Sequence, residues 1–169
     1  RAPLITDSPI IGGETVLRDN RVKQASWSEQ IIQPSLTRGE TRRVAALEIL
    51  SEVLGSGATS RLYKALVIER PLAVSVGTGY VASVRGDGQF SFYASPRPGV
   101  SLDQIAQAVR LETQRLADGG LASGELARIK KRMLADAIFS RDAMKAGAYS
   151  IGGTLAAGHR LESVENWPE

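Results

Sequence analysis

The sequence predicts an α+β domain, with an antiparallel-rich sheet and helices packed on one of its faces. Hydrophobic residues make up 43% of the 169 residues, which is enough for one domain that buries its own core. Segments with strand-like alternation are interleaved with segments in which apolar residues recur at helical spacing. Their predicted order is strand, strand, helix, helix, strand, strand, helix, helix.

The first 13 residues contain prolines and glycines that interrupt regular structure. We therefore expect residues 1–13 to be a linker and residues 14–169 to form a single domain. The chain begins at Arg1, and its opening segment lacks the charged and apolar regions of a signal peptide. The interpretation is that this chain is a fragment of a longer protein.

Residues 14–17 and 22–32 carry the β-branched and aromatic residues typical of strands. Asp19 and Asn20 lie between them and suit a tight turn. The pattern is compatible with a hairpin or with one strand that contains a break. Pro34 should end the strand, because proline cannot donate a hydrogen bond to a sheet.

Two helices should follow. Thr37 and Glu40 have the spacing of a capping box, and apolar residues recur at helical spacing behind them until Gly55. A second helical pattern covers residues 60–69 and should end at Pro71. Two antiparallel strands come next, over residues 72–80 and 89–94, with a turn at residues 85–88.

The C-terminal part predicts two more helices. Ser101 and Gln104 form a second candidate capping box, and the helix behind it should stop at Gly119. The last predicted helix runs from about residue 123 to beyond residue 139. Three later glycines weaken its continuation, so a kink or a close helix contact is expected near Gly147, Gly152 and Gly153.

Composition excludes several function classes. The net charge is +3, from 21 basic and 18 acidic residues that are interspersed, so nucleic-acid binding is not indicated. No apolar run approaches the ~20 residues that a membrane span needs. Without cysteine, the chain has neither disulfides nor thiolate metal sites.

Catalytic motifs are also missing. His159 is the single histidine, and a zinc site needs more ligands than it supplies. No G-x-S-x-G motif is present, and the glycine-rich loop GSGATS lacks the lysine of a phosphate-binding loop. Glu48 and Glu52 lie four residues apart, and we interpret them as part of a solvated helix face near Arg42 and Arg43.

Residues 46–76 read ALEILSEVLGSGATSRLYKALVIERPLAVSV. This stretch resembles the second-domain signature of the pitrilysin/insulinase family of zinc peptidases, which also contains the mitochondrial processing peptidase and the bc1 core subunits. The segments that begin at Phe90 and Glu125, and the closing LESVENWPE, resemble later parts of the same domain. The resemblance covers residues 14–169 and falls on the domain after the zinc-binding one.

Zinc in that family is held by an H-x-x-E-H helix, which this chain lacks. The resemblance therefore implies a non-catalytic companion domain with no cofactor of its own, the zinc being held by another domain of the parent protein. Active second domains often carry an arginine and a tyrosine at the positions of Val67 and Val74. Valine has no hydrogen-bond donor to stabilise a transition state at either position.

The resemblance also places the loop before residue 61 and the following helix near the family's substrate chamber. Ser60, Arg61 and Tyr63 are therefore the candidates for contact with peptide or with the partner domain. The alternative is that these residues have only a structural role. In that case Arg61 is solvated, while Leu62 and its helical neighbour Leu66 pack inward.

Two functions remain open at this point. The chain is either a companion domain that helps to enclose unfolded peptide, or an assembly module that resembles the inactive bc1 core subunits. The expected partners are a zinc-bearing domain of the same or a partner chain, unfolded peptide, and a second copy of the chain. The compartment is not readable, and the resemblance implies a bacterial cytoplasmic or periplasmic setting.

Overall fold

The computed structural model describes residues 12–142 and 146–158. Its elements are β1 (Trp27–Gln33), α1 (Thr41–Gly55), α2 (Arg61–Tyr63) continued by a π-helical segment (Lys64–Glu69), β2 (Ala73–Val81), β3 (Gly88–Pro96), α3 (Leu102–Gly119), α4 (Glu125–Asp142) and α5 (Ala146–Ala156). The three strands form one antiparallel sheet in the order β1-β3-β2. The predicted α+β class is confirmed. His159 and the closing LESVENWPE segment lie outside the described residues.

The sheet has one buried and one exposed face. Phe90, Phe92 and Ala94 alternate along β3 and are buried, whereas Tyr93 between them is 51% exposed. The buried residues belong to one core cluster with Leu54 of α1 and with residues of α2, α3 and α4. Because side chains alternate between the faces of a strand, the helices pack on one face of the sheet, as predicted.

The core is built mainly from fully buried leucine, isoleucine and valine side chains. The largest of them come from four helical segments and are Val44, Leu54, Leu62, Leu66, Ile105 and Val109. Full burial of one such side chain is worth about 1.5–3 kcal/mol, so each of these residues contributes substantially to folding.

The prediction for the N-terminal strands was wrong in part. Residues 14–17 form no strand, and Val16 and Leu17 are 53% and 82% exposed. A β-prone segment is stabilised mainly by cross-strand pairs, and none forms there. The strand begins at Trp27, pairs with β3, and ends just before Pro34 as predicted.

The two predicted capping boxes had different outcomes. Ser101 accepts a hydrogen bond from the backbone N–H of Gln104 at 3.1 Å, and the Gln104 side chain accepts one from the Ser101 N–H at 2.9 Å. The box at Thr37 does not form: α1 begins at Thr41, and the Thr37 hydroxyl donates instead to the carbonyl of Val84 at 2.8 Å. The Thr37 hydroxyl, which local spacing predicted to cap a helix, therefore bonds to a loop that is distant in sequence.

Helix α1 lies directly against β2. A Cβ atom added at Gly55 would lie 2.2 Å from the backbone nitrogen of Thr78, which is closer than van der Waals contact allows. One turn earlier, the Thr78 hydroxyl donates to the carbonyl of Ser51 at 2.8 Å. The glycine that was predicted to stop the helix also permits this close approach.

The glycines near the C-terminus have a different environment. Gly152 and Gly153 lie within α5, and a Cβ added at either would meet no described atom within 4 Å. Close helix packing at these two positions, one of the two predicted explanations, is therefore not present among the described residues. In residues 12–142 and 146–158, no helix is long and apolar enough to cross a membrane.

Candidate functional site

The residues singled out by the resemblance lie in three different environments. Ser60 immediately precedes α2 and is 3% exposed. Tyr63 and Val67 are partly buried against the hydrophobic core. Val74 is 56% exposed, at a point where the pairing of β2 with β3 is irregular. Ser60 is thus the candidate most fully enclosed by its surroundings.

Arg61 connects α2 to the beginning of α4. Its guanidinium makes two hydrogen bonds to the carboxylate of Glu125, at 2.6 and 3.2 Å, and a third to the carbonyl of Gly120 at 3.0 Å. The hydrogen bond from Arg61 lowers the pKa of Glu125, and the same bond raises the pKa of Arg61. The interpretation of Arg61 as merely solvated is therefore wrong, although Leu62 and Leu66 pack inward as expected.

A small cavity lies beside this ion pair, and we call it the Ser60 cavity. Its volume is about 110 Å³. Its lining residues come from the end of α1, the loop before α2 and the first half of α4, and they are Glu52, Val53, Thr59, Ser60, Glu125, Arg128, Ile129 and Arg132. The cavity thus combines hydroxyl, carboxylate and guanidinium groups.

A larger and more open depression lies between α1, β2 and α4, and we call it the acidic groove. Its volume is about 470 Å³. Its lining residues are Glu48, Ser51, Glu52, Thr78, Gly79, Tyr80, Met133, Asp136 and Ala137. Three of these are carboxylates and none is cationic, so the lining of the groove is formally acidic and suits positively charged groups.

The groove residues differ in how they are held. Burial raises the pKa of Glu48, because desolvation disfavours the charged form. Tyr80 donates a hydrogen bond to the carbonyl of Pro34, which anchors one side of the groove to the end of β1. Burial also raises the pKa of Tyr80, and the charge of Glu48 adds to this effect.

Glu52 is shared by the two depressions and is held by an ion pair. Its carboxylate lies 2.5 Å from the guanidinium of Arg132, whose sequence position is 80 residues away. The interpretation of Glu48 and Glu52 as a solvated face is therefore wrong, since one is partly buried and the other is paired. No local signal in the sequence identified Arg132 as the partner of Glu52.

Zinc does not fit the described part of the chain. Within residues 12–142 and 146–158, no group of three or more histidine, cysteine, aspartate or glutamate side chains is arranged to hold a metal ion. The carboxylates of the acidic groove therefore do not amount to a metal site.

Comparisons with known proteins agree with one another. The family model described as the peptidase M16 inactive domain matches residues 3–133. An uncharacterised zinc protease of Streptomyces coelicolor is 34% identical over 126 residues, which are 72% of this chain and 27% of that protein. The chain therefore spans about a quarter of the length of this curated relative.

Solved structures show the same fold. A protease from Helicobacter pylori superposes with a TM-score of 0.76 at 21% identity, covering 88% of this chain and 35% of that chain. An inactive peptidase domain from Bordetella parapertussis superposes with a TM-score of 0.66 at 20% identity, covering 83% of this chain and 77% of that one.

Proposed function

This chain belongs to the peptidase M16 inactive-domain family, and we propose that it serves as the companion of a zinc-bearing peptidase domain in the same or a partner chain. The observation that carries the proposal is the family match over residues 3–133. The relative from Streptomyces coelicolor, which is named a zinc protease, supports it. In this proposal the companion supports the zinc-bearing domain and helps to enclose unfolded peptide.

The proposal assigns metal chemistry to the partner domain. A zinc ion supplies a water of lowered pKa for peptide hydrolysis, and its ligands would lie outside this chain. The described residues contain no suitable ligand group, so no catalytic step is assigned to them. What remains for this chain is to shape the surface that peptide meets.

We assign peptide contact to the acidic groove. It is open to solvent and offers the carboxylates of Glu48 and Asp136 beside the backbone of Gly79. A lysine or arginine side chain entering the groove would offset the desolvation that raises the pKa of Glu48. The groove therefore favours unfolded peptides that carry positive charge.

One observation favours the alternative function, an assembly module without a hydrolytic role. Val67 and Val74 stand where the resemblance to active second domains implies an arginine and a tyrosine. Neither valine lines the Ser60 cavity or the acidic groove. An assembly module needs neither polar group, whereas a domain that assists catalysis does.

The test of the companion function measures zinc content and cleavage of an unfolded peptide. The chain is assayed alone and together with the zinc-bearing domain of its parent protein. We expect no stoichiometric zinc and no cleavage by the chain alone, and chelator-sensitive cleavage by the combination. An inert combination would favour the assembly module, and stoichiometric zinc on the chain alone would overturn both functions.

A second experiment tests the groove itself. Since the chain has no cysteine, a single cysteine introduced by Met133→Cys provides a unique crosslinking position in the groove. The matched control is Leu111→Cys, at a position on α3 that is 43% exposed. We expect a lysine-rich peptide with a thiol-reactive group to label the groove position faster than the control. Equal labelling of the two variants would remove the groove from the proposal.

A further inference from the structure

The Ser60 cavity contains two polar atoms without partners. The Ser60 hydroxyl oxygen and the Arg132 Nε are buried and make no hydrogen bond among the described residues. Ser60 is 3% exposed and lines the cavity, as does Arg132. A buried polar group that lacks a partner destabilises the folded state, so such groups are generally satisfied by water, an ion or a ligand.

The chemistry of the two atoms restricts what satisfies them. The Nε of a guanidinium is a donor only, while a hydroxyl both donates and accepts. One group that serves both atoms must therefore accept hydrogen bonds. Water and an anionic oxygen meet this requirement, and a cation does not.

The surrounding charges favour an anion over water. The two carboxylates that line the cavity already have guanidinium partners, because Arg132 holds Glu52 and Arg61 holds Glu125. Arg128 also lines the cavity and adds a third positive charge to these two pairs. The lining itself has two guanidiniums and two carboxylates, and Arg61, which lies outside the lining against Glu125, brings the surroundings to a net charge of +1. Positive charge beside unused donors is the arrangement that binds anions.

We propose that the Ser60 cavity binds a carboxylate group. The Ser60 hydroxyl and Arg132 Nε donate to its oxygens, and Arg128 balances its charge. The volume of about 110 Å³ suits a group of this size better than a larger ligand. This proposal goes beyond the companion function. It rests only on the residues of the cavity and holds whether or not the chain acts beside a peptidase.

The test is a titration of the 169-residue chain with acetate, followed by NMR of the Arg132 Nε–H signal. We expect a saturable shift of this signal. Ser60→Ala and Arg128→Gln should each weaken acetate binding about tenfold, the effect of losing one hydrogen bond or charge contact to an anion. Arg110→Gln is the matched control, because it removes an exposed arginine of α3 that lies outside the cavity, and it should leave the affinity unchanged.

The result that would overturn the proposal is a shift that does not saturate, or one that is the same in all three variants. Water alone would then satisfy the cavity. Arg128 is exposed, so its replacement tests the site even if Ser60→Ala fails to fold.

Two further ligands distinguish the source of the carboxylate. N-acetylglycine offers a chain-end carboxylate, and N-acetylglutamic acid amide offers a side-chain carboxylate. Saturable binding of either supports the site, and the tighter ligand identifies the source. N-acetylglutamine amide has no carboxylate, so equally tight binding of this control would overturn the proposal.

Discussion

The acidic groove and the Ser60 cavity share Glu52, yet they differ in charge: the groove is lined by three carboxylates and no cation, whereas the cavity is lined by two carboxylates and two guanidiniums. The difference comes from successive turns of α4. Arg128 and Arg132 face the cavity, whereas Met133 and Asp136 face the groove. A shift of one helical turn along α4 therefore replaces arginine side chains in the lining by a methionine and an aspartate. The comparison teaches that one helix can line two depressions of different chemistry.

The two regions also shift the pKa of a carboxylate in opposite directions. In the groove, burial raises the pKa of Glu48. Beside the cavity, the hydrogen bond from Arg61 lowers the pKa of Glu125. The sign depends on whether desolvation or a cationic partner dominates. Three substitutions, taken from the largest expected effect to the smallest, test this contrast.

Gly55→Ala should destabilise the chain most, because α1 lines both regions and approaches β2 closely beside the groove. Its Cβ would overlap the backbone of Thr78, which cannot move aside as a flexible side chain would. We expect a loss of about 3 kcal/mol in the free energy of unfolding, measured by urea denaturation. Gly86→Ala is the control, since a Cβ there meets nothing within 4 Å. Equal effects of the two substitutions would contradict the packing argument.

Glu125→Gln should cost about 1–2 kcal/mol at neutral pH, because it leaves Arg61 without its ionic partner in a partly buried position. The folded pKa of Glu125 lies below its ordinary value of 4.5, so its contribution is present above pH 4.5 and is lost as pH falls through the folded pKa. The difference between wild type and variant should therefore shrink in acid.

Urea denaturation between neutral and acidic pH measures this difference. Asp118→Asn removes an exposed carboxylate of α3 and should change stability by no more than about 0.5 kcal/mol at neutral pH. A loss in Glu125→Gln that does not depend on pH would show that the ion pair is not its cause.

Glu48→Gln should have the smallest effect and the opposite sign. The folded pKa of Glu48 lies above its ordinary value of 4.5, so the charged carboxylate destabilises the folded state once pH rises through the interval between the two pKa values. The variant should be more stable than wild type at neutral pH, by less than about 1 kcal/mol, and equal to it below pH 4.5.

Denaturation curves at neutral pH and below pH 4.5 check this prediction. Glu69→Gln, at an exposed position on the π-helical segment, is the control. A loss of stability in Glu48→Gln at neutral pH would mean that Glu48 has a favourable partner in the fold. Desolvation at Glu48 would then no longer contrast with the cationic partner of Glu125 beside the cavity.

Local patterns predicted most of the helices and strands but not every role within them. Ser101 and Thr37 have the same capping-box spacing, and only Ser101 caps a helix. The difference lies in a loop that is distant in sequence. Its Val84 carbonyl accepts a hydrogen bond from the Thr37 hydroxyl. A spacing rule describes which hydrogen bond is available, while the folded chain decides which one forms.

The candidate site was predicted less completely than the fold. Ser60 and Arg61 were identified through their place in a family signature, and their function as peptide or partner contacts stays a prediction. The sequence contained no signal that Ser60 would lack a hydrogen-bond partner or that Arg61 would pair with Glu125. Such pairings join segments that are many residues apart, and periodicity carries no information about them.

The sequence by itself determined the fold class, most element positions, the family and the lack of an H-x-x-E-H motif. These properties depend on the order of residues along the chain, on helical or alternating spacing, and on the stops at Gly55 and Pro71. Only the tertiary structure decided that Glu52 pairs with Arg132, that Glu48 is partly buried, and that the Ser60 cavity exists. Charge pairing and burial depend on distances between segments far apart in the chain, and these distances exist only after folding.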